Sequence, residues 1–336
     1  MGFIDAVNDL ASRVGMSVPE PDPVYRRQVQ TLSGPDLTEV LATAGRYYKE
    51  QLKRSEPAIS YLKSRGLTGE IAARFGLGYA PDGWQNLEAA FEAYADQAMV
   101  DAGLVIKNDE GRRYDRFRDR IMFPIANTRG DIIGFGGRVL GQGEPKYLNS
   151  PETPVFEKGR ELYGLLQARQ AIRAKARVLV VEGYMDVVAL AQHGIEYVVA
   201  TLGTATTPVH VQKLLRQTDE VVFCFDGDNA GRKAAWRALE VSLPCLADGK
   251  QVRFLFLPES DDPDSFVRRQ GRESFEALVA KAEPLSSYLL RELQSVVDMG
   301  TPEGRAAFLK QAEGLVKQIT ARNLGCLLYT SDAADE

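Results

Sequence analysis

Cysteine and histidine are scarce in this 336-residue chain. The three cysteines, Cys224, Cys245 and Cys326, are odd in number and far apart, which excludes a disulfide framework. His193 and His210 form no ligand spacing with them, so no zinc cluster is expected. Any metal would have to be held by carboxylates, a donor set that selects hard ions such as Mg²⁺ or Mn²⁺. Long apolar runs are also missing: none approaches the roughly 18 residues of a membrane span, and no membrane partner is expected. Met1-Gly2-Phe3-Ile4-Asp5 lacks the basic stretch and apolar block of a secretory signal, so a reducing cytoplasm is the expected location.

An excess of positive charge is absent too, since the net charge is −5. The distribution says more than the sum. Residues 111–177 hold 14 Lys/Arg against 7 Asp/Glu, whereas residues 178–274 hold 10 against 14. A basic segment followed by an acidic one suits a polyanion groove beside a metal site, although ordinary surface variation gives the same numbers. With 44% hydrophobic and 26% charged residues, the chain has apolar content enough for two or more globular domains.

Phe3, Ile4, Val7, Leu10 and Val14 recur at helical spacing, and Pro19 to Pro23 reads as a linker. Asp36 is placed to cap a helix whose one face carries Leu37, Val40, Leu41, Ala44, Tyr48 and Leu52. Pro57 and Thr68 open two further short helices. The period then changes. Arg120 to Ala126 and Asp131 to Val139 are strand-like runs around the turn Asn127-Thr128-Arg129-Gly130, with weaker strands at Tyr147-Leu148 and Leu162-Tyr163. From Arg177 a regular alternation follows: strand Val178–Val181, helix Met185–Gln192, strand Tyr197–Ala200, helix Pro208–Arg216, strand Glu220–Phe225, helix Ala230–Leu246, strand Gln251–Leu257. That is the pattern of a parallel sheet with right-handed crossovers, and the chain after Arg272 reads as helical.

In open parallel sheets, ligands bind at the carboxyl ends of the strands. Glu182 follows the first strand directly, Asp226-Gly227-Asp228 follows the third, and Asp262-Pro263-Asp264 lies just beyond the fourth. Singly, Asp228 and Asp262 also suit helix N-caps. Glu182 closes an all-apolar strand and has less structural excuse, because a carboxylate there is costly to desolvate unless paired. Carboxylates converging on one sheet edge repel one another unless divalent cations neutralise them. Asp186, four residues after Glu182, is an auxiliary ligand candidate.

The basic half places Arg112, Arg113, Arg116, Arg118 and Arg120 around Tyr114 and Phe117, followed by Arg129, Arg138, Lys146, Lys158 and Arg160. Forked guanidinium groups suit phosphates and aromatic rings suit bases, while a solvated charged face is the plain alternative. The glycines of Gly134-Phe135-Gly136-Gly137 miss the dinucleotide-binding spacing and lie inside a strand run. Leu202-Gly203-Thr204-Ala205-Thr206-Thr207 lacks the Gly-Lys-Ser/Thr ending of a phosphate loop; it reads as a strand-to-helix turn lending hydroxyls to the same sheet edge.

Val181-Glu182-Gly183-Tyr184-Met185-Asp186, Phe225-Asp226-Gly227-Asp228-Asn229-Ala230-Gly231-Arg232 and Asp261-Asp262-Pro263-Asp264 resemble the Toprim signature in the form found in bacterial DNA primases. Tyr114 to Pro124, Gly134 to Arg138 and Pro145 to Thr153 resemble the subdomain that precedes the Toprim sheet in that family. The resemblance implies an α/β chain: a mixed α+β N-terminal subdomain (1–175) with a basic groove, a parallel-sheet Toprim subdomain (176–275), and a helical C-terminal subdomain (276–326). Residues 327–336 fall outside the resemblance and read as a non-native tail. It implies synthesis of short RNA primers on single-stranded DNA from ribonucleoside triphosphates, with catalytic carboxylates Glu182, Asp226 and Asp228 binding Mg²⁺ or Mn²⁺. Asp262, Asp264 and Asp186 would complete the metal cluster; Arg116, Arg118, Arg138, Lys146, Lys158 and Arg65 would contact nucleotide or template. No zinc module precedes Phe3 and little chain follows Ala321, so the expectation is a catalytic core without zinc-binding and helicase-binding domains, the replicative helicase being a partner of the full-length protein. A Toprim-type metal-dependent nuclease and a non-catalytic single-stranded DNA-binding module remain open on the residues alone.

Overall fold

The computed structural model describes residues 36–259 and 261–331. The helix expected over Phe3–Val14 and the linker at Pro19–Pro23 lie outside these residues.

The first part is helical. Helices α1 (Leu37–Arg54), α2 (Glu56–Ser64) and α3 (Gly69–Arg74) start at side-chain caps, Asp36 accepting from the Thr38 N–H, Ser55 from Ala58 and Thr68 from Ile71. Leu41, Ala44, Tyr48 and Leu52 form the buried face of α1, as its spacing predicts. Four strands, β1 (Gly78–Ala80), β4 (Arg120–Ala126), β5 (Ile132–Val139) and β6 (Tyr147–Asn149), make an antiparallel sheet in the order β1-β4-β5-β6. A separate hairpin pairs β2 (Val105–Lys107) with β3 (Arg113–Asp115), and a short helix, α4 (Gln97–Asp101), precedes it.

After helix α5 (Leu165–Lys175) the alternation read from the sequence appears: β7 (Arg177–Val181), α6 (Tyr184–Gln192), β8 (Val198–Ala200), α7 (Pro208–Leu215), β9 (Glu220–Phe225), α8 (Asn229–Ser242), β10 (Gln251–Phe256). These strands pair parallel in the order β10-β9-β7-β8, and β11 (Glu283–Pro284), which the sequence does not announce, adds an antiparallel edge beside β10. Strand β8 lies on one side of β7 and β9 on the other, so the chain reverses direction across the sheet between β7 and β9. Such a reversal leaves a crevice at the strand carboxyl ends, because the two crossover helices leave in opposite directions. Helices α9 (Pro263–Ala280), α10 (Leu285–Ser295), α11 (Pro302–Val316) and α12 (Arg322–Ser331) complete the described chain, α9 being interrupted at Gly271. Residues 327–331, read as tail, continue α12.

One core joins the parts: Leu62, Phe123 and Ile125 from the first half share a buried cluster with β7–β10 and with Leu289 and Phe308 of the last helices. Tyr184 is its hinge pin. Its ring stacks on Phe123 at 5.4 Å, meets Tyr163 edge-on at 4.9 Å, and its hydroxyl donates to Asn149 Oδ1 at 2.7 Å. Gly136 of β5 makes room for it, since a Cβ there would lie 2.5 Å from the Tyr184 ring. Tyr184, two residues after Glu182, thus ties the parallel-sheet part to the antiparallel sheet. Gly136→Ala is expected to lower stability to urea by about 1–3 kcal/mol, the usual cost of overpacking a core; an unchanged unfolding midpoint would show that the joint is loose.

Candidate metal and nucleotide site

Strands β7 and β9 are adjacent and end together, Val180 lying opposite Phe223. Each is buried along its apolar length, so the first polar side chain beyond it emerges at the rim: Glu182 after β7, Asp226 after β9. Gly227 lets the loops after β9 and β10 touch, because any Cβ there would collide with the Leu257 carbonyl. That contact brings the Asp226–Asp228 turn against the segment leading to Asp262.

The electrostatics show which carboxylates act on one another. Burial, then the charges of Asp226 and Asp228, push the Glu182 carboxyl above its ordinary range. Burial, then Asp262 and Asp228, do the same to Asp226. Asp186 is pushed up to about 8 by burial, then by Asp262. Glu182 thus feels Asp226 and Asp228, and Asp262 acts on both Asp226 and Asp186. Among the described residues, the Glu182 and Asp226 side chains have neither a hydrogen-bond donor nor an ion-pair partner.

The other carboxylates have structural duties. Asp228 caps α8 by accepting from the Gly231 N–H at 2.7 Å, and Asp262 caps α9 by accepting from the Ser265 N–H at 2.6 Å. The capping readings therefore hold, with one oxygen of each carboxylate engaged. Asp264 is fully buried, and its carboxylate pairs with both Arg65 and Arg268, the latter at 2.7 Å. Two of the residues expected at the site, Asp264 and Arg65, are thus paired with each other in this structure. Asp186 accepts from the Asp264 N–H at 3.3 Å.

An ion bound here would meet an all-oxygen donor set, with Glu182 and Asp226 unpartnered. Among the described residues no group of three or more Asp, Glu, His or Cys side chains stands close enough together to hold a metal ion by itself. The rim is an open half-shell of hard donors, which fits a cation that takes its remaining oxygens from water and phosphate.

In the basic half, the Arg138 guanidinium lies over the rings of Tyr61 (5.1 Å) and Tyr147 (5.7 Å), with its Nε and Nη1 buried and without hydrogen-bond partners. Burial raises the Tyr147 pKa to about 12, with Arg138 and Arg65 opposing and Asp186 and Asp262 adding to the shift, so groups of both charges lie near its hydroxyl. Arg116 is half-buried with an unpartnered Nε, and burial lowers its pKa. Lys146 is exposed. Lys158 is held by its backbone: its carbonyl accepts from His210 Nε2 at 3.0 Å, while His210 Nδ1 accepts from the Thr207 N–H, which fixes the tautomer. Arg118 stands apart, over the rings of Trp84 (4.3 Å) and Tyr114 (5.4 Å), and Trp84 is 65% exposed. Trp84 is not among the residues that the sequence singles out. Trp84 follows a plain Pro81-Asp82-Gly83 turn far along the chain from Arg118, so spacing carried no signal.

The raised Asp186 pKa has a stability consequence. Below about pH 4 the group is protonated in the folded and the unfolded chain alike. Between there and about 8 the folded chain keeps a proton that the unfolded chain releases, so stability falls as pH rises through that window. In divalent-free buffer, urea unfolding is expected to show this decline and Asp186→Asn to flatten it; a variant with the same slope would place the proton elsewhere.

Comparison with known proteins agrees with this architecture. The family described as "DNA primase catalytic core, N-terminal domain" matches residues 47–169, and the Toprim domain matches residues 176–256. The "DnaB-helicase binding domain of primase" matches residues 286–324, which corrects the expectation that no helicase-binding segment is present. A DNA primase of Neisseria meningitidis is 54% identical over 98% of this chain and 56% of its own length, and that of Escherichia coli K12 is 50% identical over 96% and 56%. The chain thus spans about half the length of the curated relatives it matches. Among solved structures, a DNA primase domain from Pseudomonas aeruginosa aligns with a TM-score of 0.85 at 54% identity, covering 89% of this chain and 95% of that one. The DnaG primase catalytic domain bound to ssDNA aligns with a TM-score of 0.84 at 49% identity, covering 89% and 97%. Sharing sequence, both domains and the whole catalytic-core fold with these proteins, the chain belongs to the bacterial DNA primase family.

Proposed function

We propose that the chain makes short RNA primers on single-stranded DNA by joining ribonucleoside triphosphates. The observation that carries this reading is the pair of unpartnered carboxylates, Glu182 and Asp226, at the crevice between β7 and β9, in a chain that also buries two unpartnered guanidinium nitrogens of Arg138. In this reading Glu182, Asp226 and the free oxygen of Asp228 hold Mg²⁺ or Mn²⁺, with Asp262 and Asp186 completing the cluster. A divalent ion there supplies acidification of the attacking 3′-hydroxyl and charge neutralisation of the departing pyrophosphate. Arg138, Arg116, Lys146 and Lys158 orient the triphosphate and template backbone, so the protein's own share is positioning and charge stabilisation. The exposed Trp84 ring, backed by Arg118, offers a face on which a template base stacks. The helicase-binding match supports the replicative helicase as a partner through residues 286–324. Among the described residues no helix is long and apolar enough to cross a membrane, in keeping with work at a cytoplasmic replication fork.

The reading is tested by incubating the protein with a single-stranded template, ribonucleotides and Mg²⁺ or Mn²⁺. Short RNA products are expected, and Glu182→Gln should lower their yield by about 10²–10³-fold, the scale of losing one charge-stabilising group, while template binding persists. Shortened DNA strands in place of RNA would favour a nuclease. Template binding with no product from either protein would favour a binding module.

A further inference from the structure

Thr207, His210 and Lys213 follow one another at intervals of three at the start of α7, a spacing that puts them on one side of the helix. Each donates to a backbone carbonyl of the same short segment. The Thr207 hydroxyl donates to Gly159 at 2.6 Å, His210 Nε2 to Lys158 at 3.0 Å and Lys213 Nζ to Arg160 at 2.9 Å. A carbonyl only accepts, so Nε2 carries the ring proton and Nδ1 is left to accept from the Thr207 N–H at 3.3 Å. The His210 ring is fully buried, and burial above all holds its pKa below the ordinary imidazole value, so it stays neutral. From the other side, the Lys158 N–H donates to the Glu152 carboxylate at 3.2 Å.

Lys158 is therefore tied at both its N–H and its carbonyl, while its ammonium has neither a hydrogen-bond nor an ion-pair partner among the described residues. The acids of the segment are engaged elsewhere: Glu157 pairs with Arg160, and Glu161 with Lys213. A loop on the surface satisfies its carbonyls with water and needs no buried histidine for the purpose. A fixed backbone with a free ammonium suits the capture of an anion, because loop motion is already removed and only the side-chain rotors remain to be ordered. The tie also crosses between the two matched domains. Lys158 lies within residues 47–169 and His210 within residues 176–256, so a crossover helix of the parallel sheet sets the place of a cation from the basic half.

We infer that His210 is a positioning residue for primer synthesis: by holding the Lys158 carbonyl it fixes where the Lys158 ammonium meets a phosphate. This rests on the primer-synthesis reading, in which Lys158 orients phosphate groups. His210 itself touches no substrate. A phosphate of the incoming triphosphate and one of the template backbone share this chemistry, and the two are separated by measurement.

The test compares two replacements in the full chain. His210→Asn keeps an acceptor near the Thr207 N–H but falls short of the Lys158 carbonyl, whereas His210→Gln reaches that carbonyl with an amide N–H. The KM for ribonucleoside triphosphate and kcat are read from primer synthesis, and the template Kd from anisotropy of a labelled single-stranded oligonucleotide. His210→Asn is expected to raise the KM or the Kd by roughly tenfold, the scale of one weakened hydrogen bond to a charged group, with kcat changed less. A rise in KM assigns the phosphate to the triphosphate, and a rise in Kd assigns it to the template. His210→Gln should recover most of the loss. On a Lys158→Ala background His210→Asn should add nothing further, a coupling that a purely structural role would not produce. If His210→Asn does not fold, Glu152→Ala decides: Glu152 is exposed and holds the other end of the same backbone, so its loss should raise the same constant and also add nothing on Lys158→Ala. A fall in kcat with KM and Kd unchanged, or an undiminished effect without Lys158, would overturn the assignment. A parent protein that makes no primers, yet binds template in a way that needs both Lys158 and His210, would uphold the tie and sink the primer-synthesis reading instead.

Discussion

Mutual repulsion among carboxylates at the end of a parallel sheet is the constraint on which this molecule depends. Adjacent strands β7 and β9 deliver Glu182 and Asp226 to one crevice, and the loop after β10 adds Asp262. Nothing in the described protein pairs with the first two. Folding alone leaves that charge uncompensated, and the fold tolerates it only because the crevice opens to solvent and to whatever cation enters. The neighbouring acids are treated differently: Asp264 is neutralised by Arg65 and Arg268, and Asp228 and Asp262 are half-spent as helix caps. The compensated acids build the frame, and the uncompensated ones give it chemistry.

The basic half follows a parallel logic. Arg138 lies over two tyrosine rings with part of its fork unsatisfied, so its orientation is fixed before any phosphate arrives. Tyr184 carries the connection between the sheets by its stacking on Phe123 and its hydrogen bond to Asn149. Asn149 reaches on to the Leu202 carbonyl, so the same joint fixes the threonine loop. Positioning in both halves thus hangs on one aromatic contact.

Much of this was legible in the residues. Alternating apolar strands and capped helices placed β7 to β10 within a residue or two, because burial on both faces leaves an unbroken apolar run and little ambiguity. Glu182, Asp226 and Asp262 were legible as strand-end acids for the same reason. What the chain order could not reveal was pairing across distance. Arg65 and Asp264 lie far apart in sequence and meet only because α2 packs beside the start of α9, so both looked like free site groups. Asp186 looked like a partner of Glu182 by helical spacing; its hydrogen bond from the Asp264 N–H, 78 residues away, left no such trace. Strand β11 is two residues long and contains Pro284, too short to carry a period. The helicase-binding match falls on helices whose amphipathic pattern reads as any small helical bundle, which is why composition gave no hint of it.

The account stands or falls on a divalent cation resting between the ends of β7 and β9. Anomalous scattering from crystals soaked in Mn²⁺ measures this directly. A peak within ligand distance of both Glu182 and Asp226 is the predicted result. A peak only at Asp262 and Asp186, or none at concentrations that support catalysis, would contradict it.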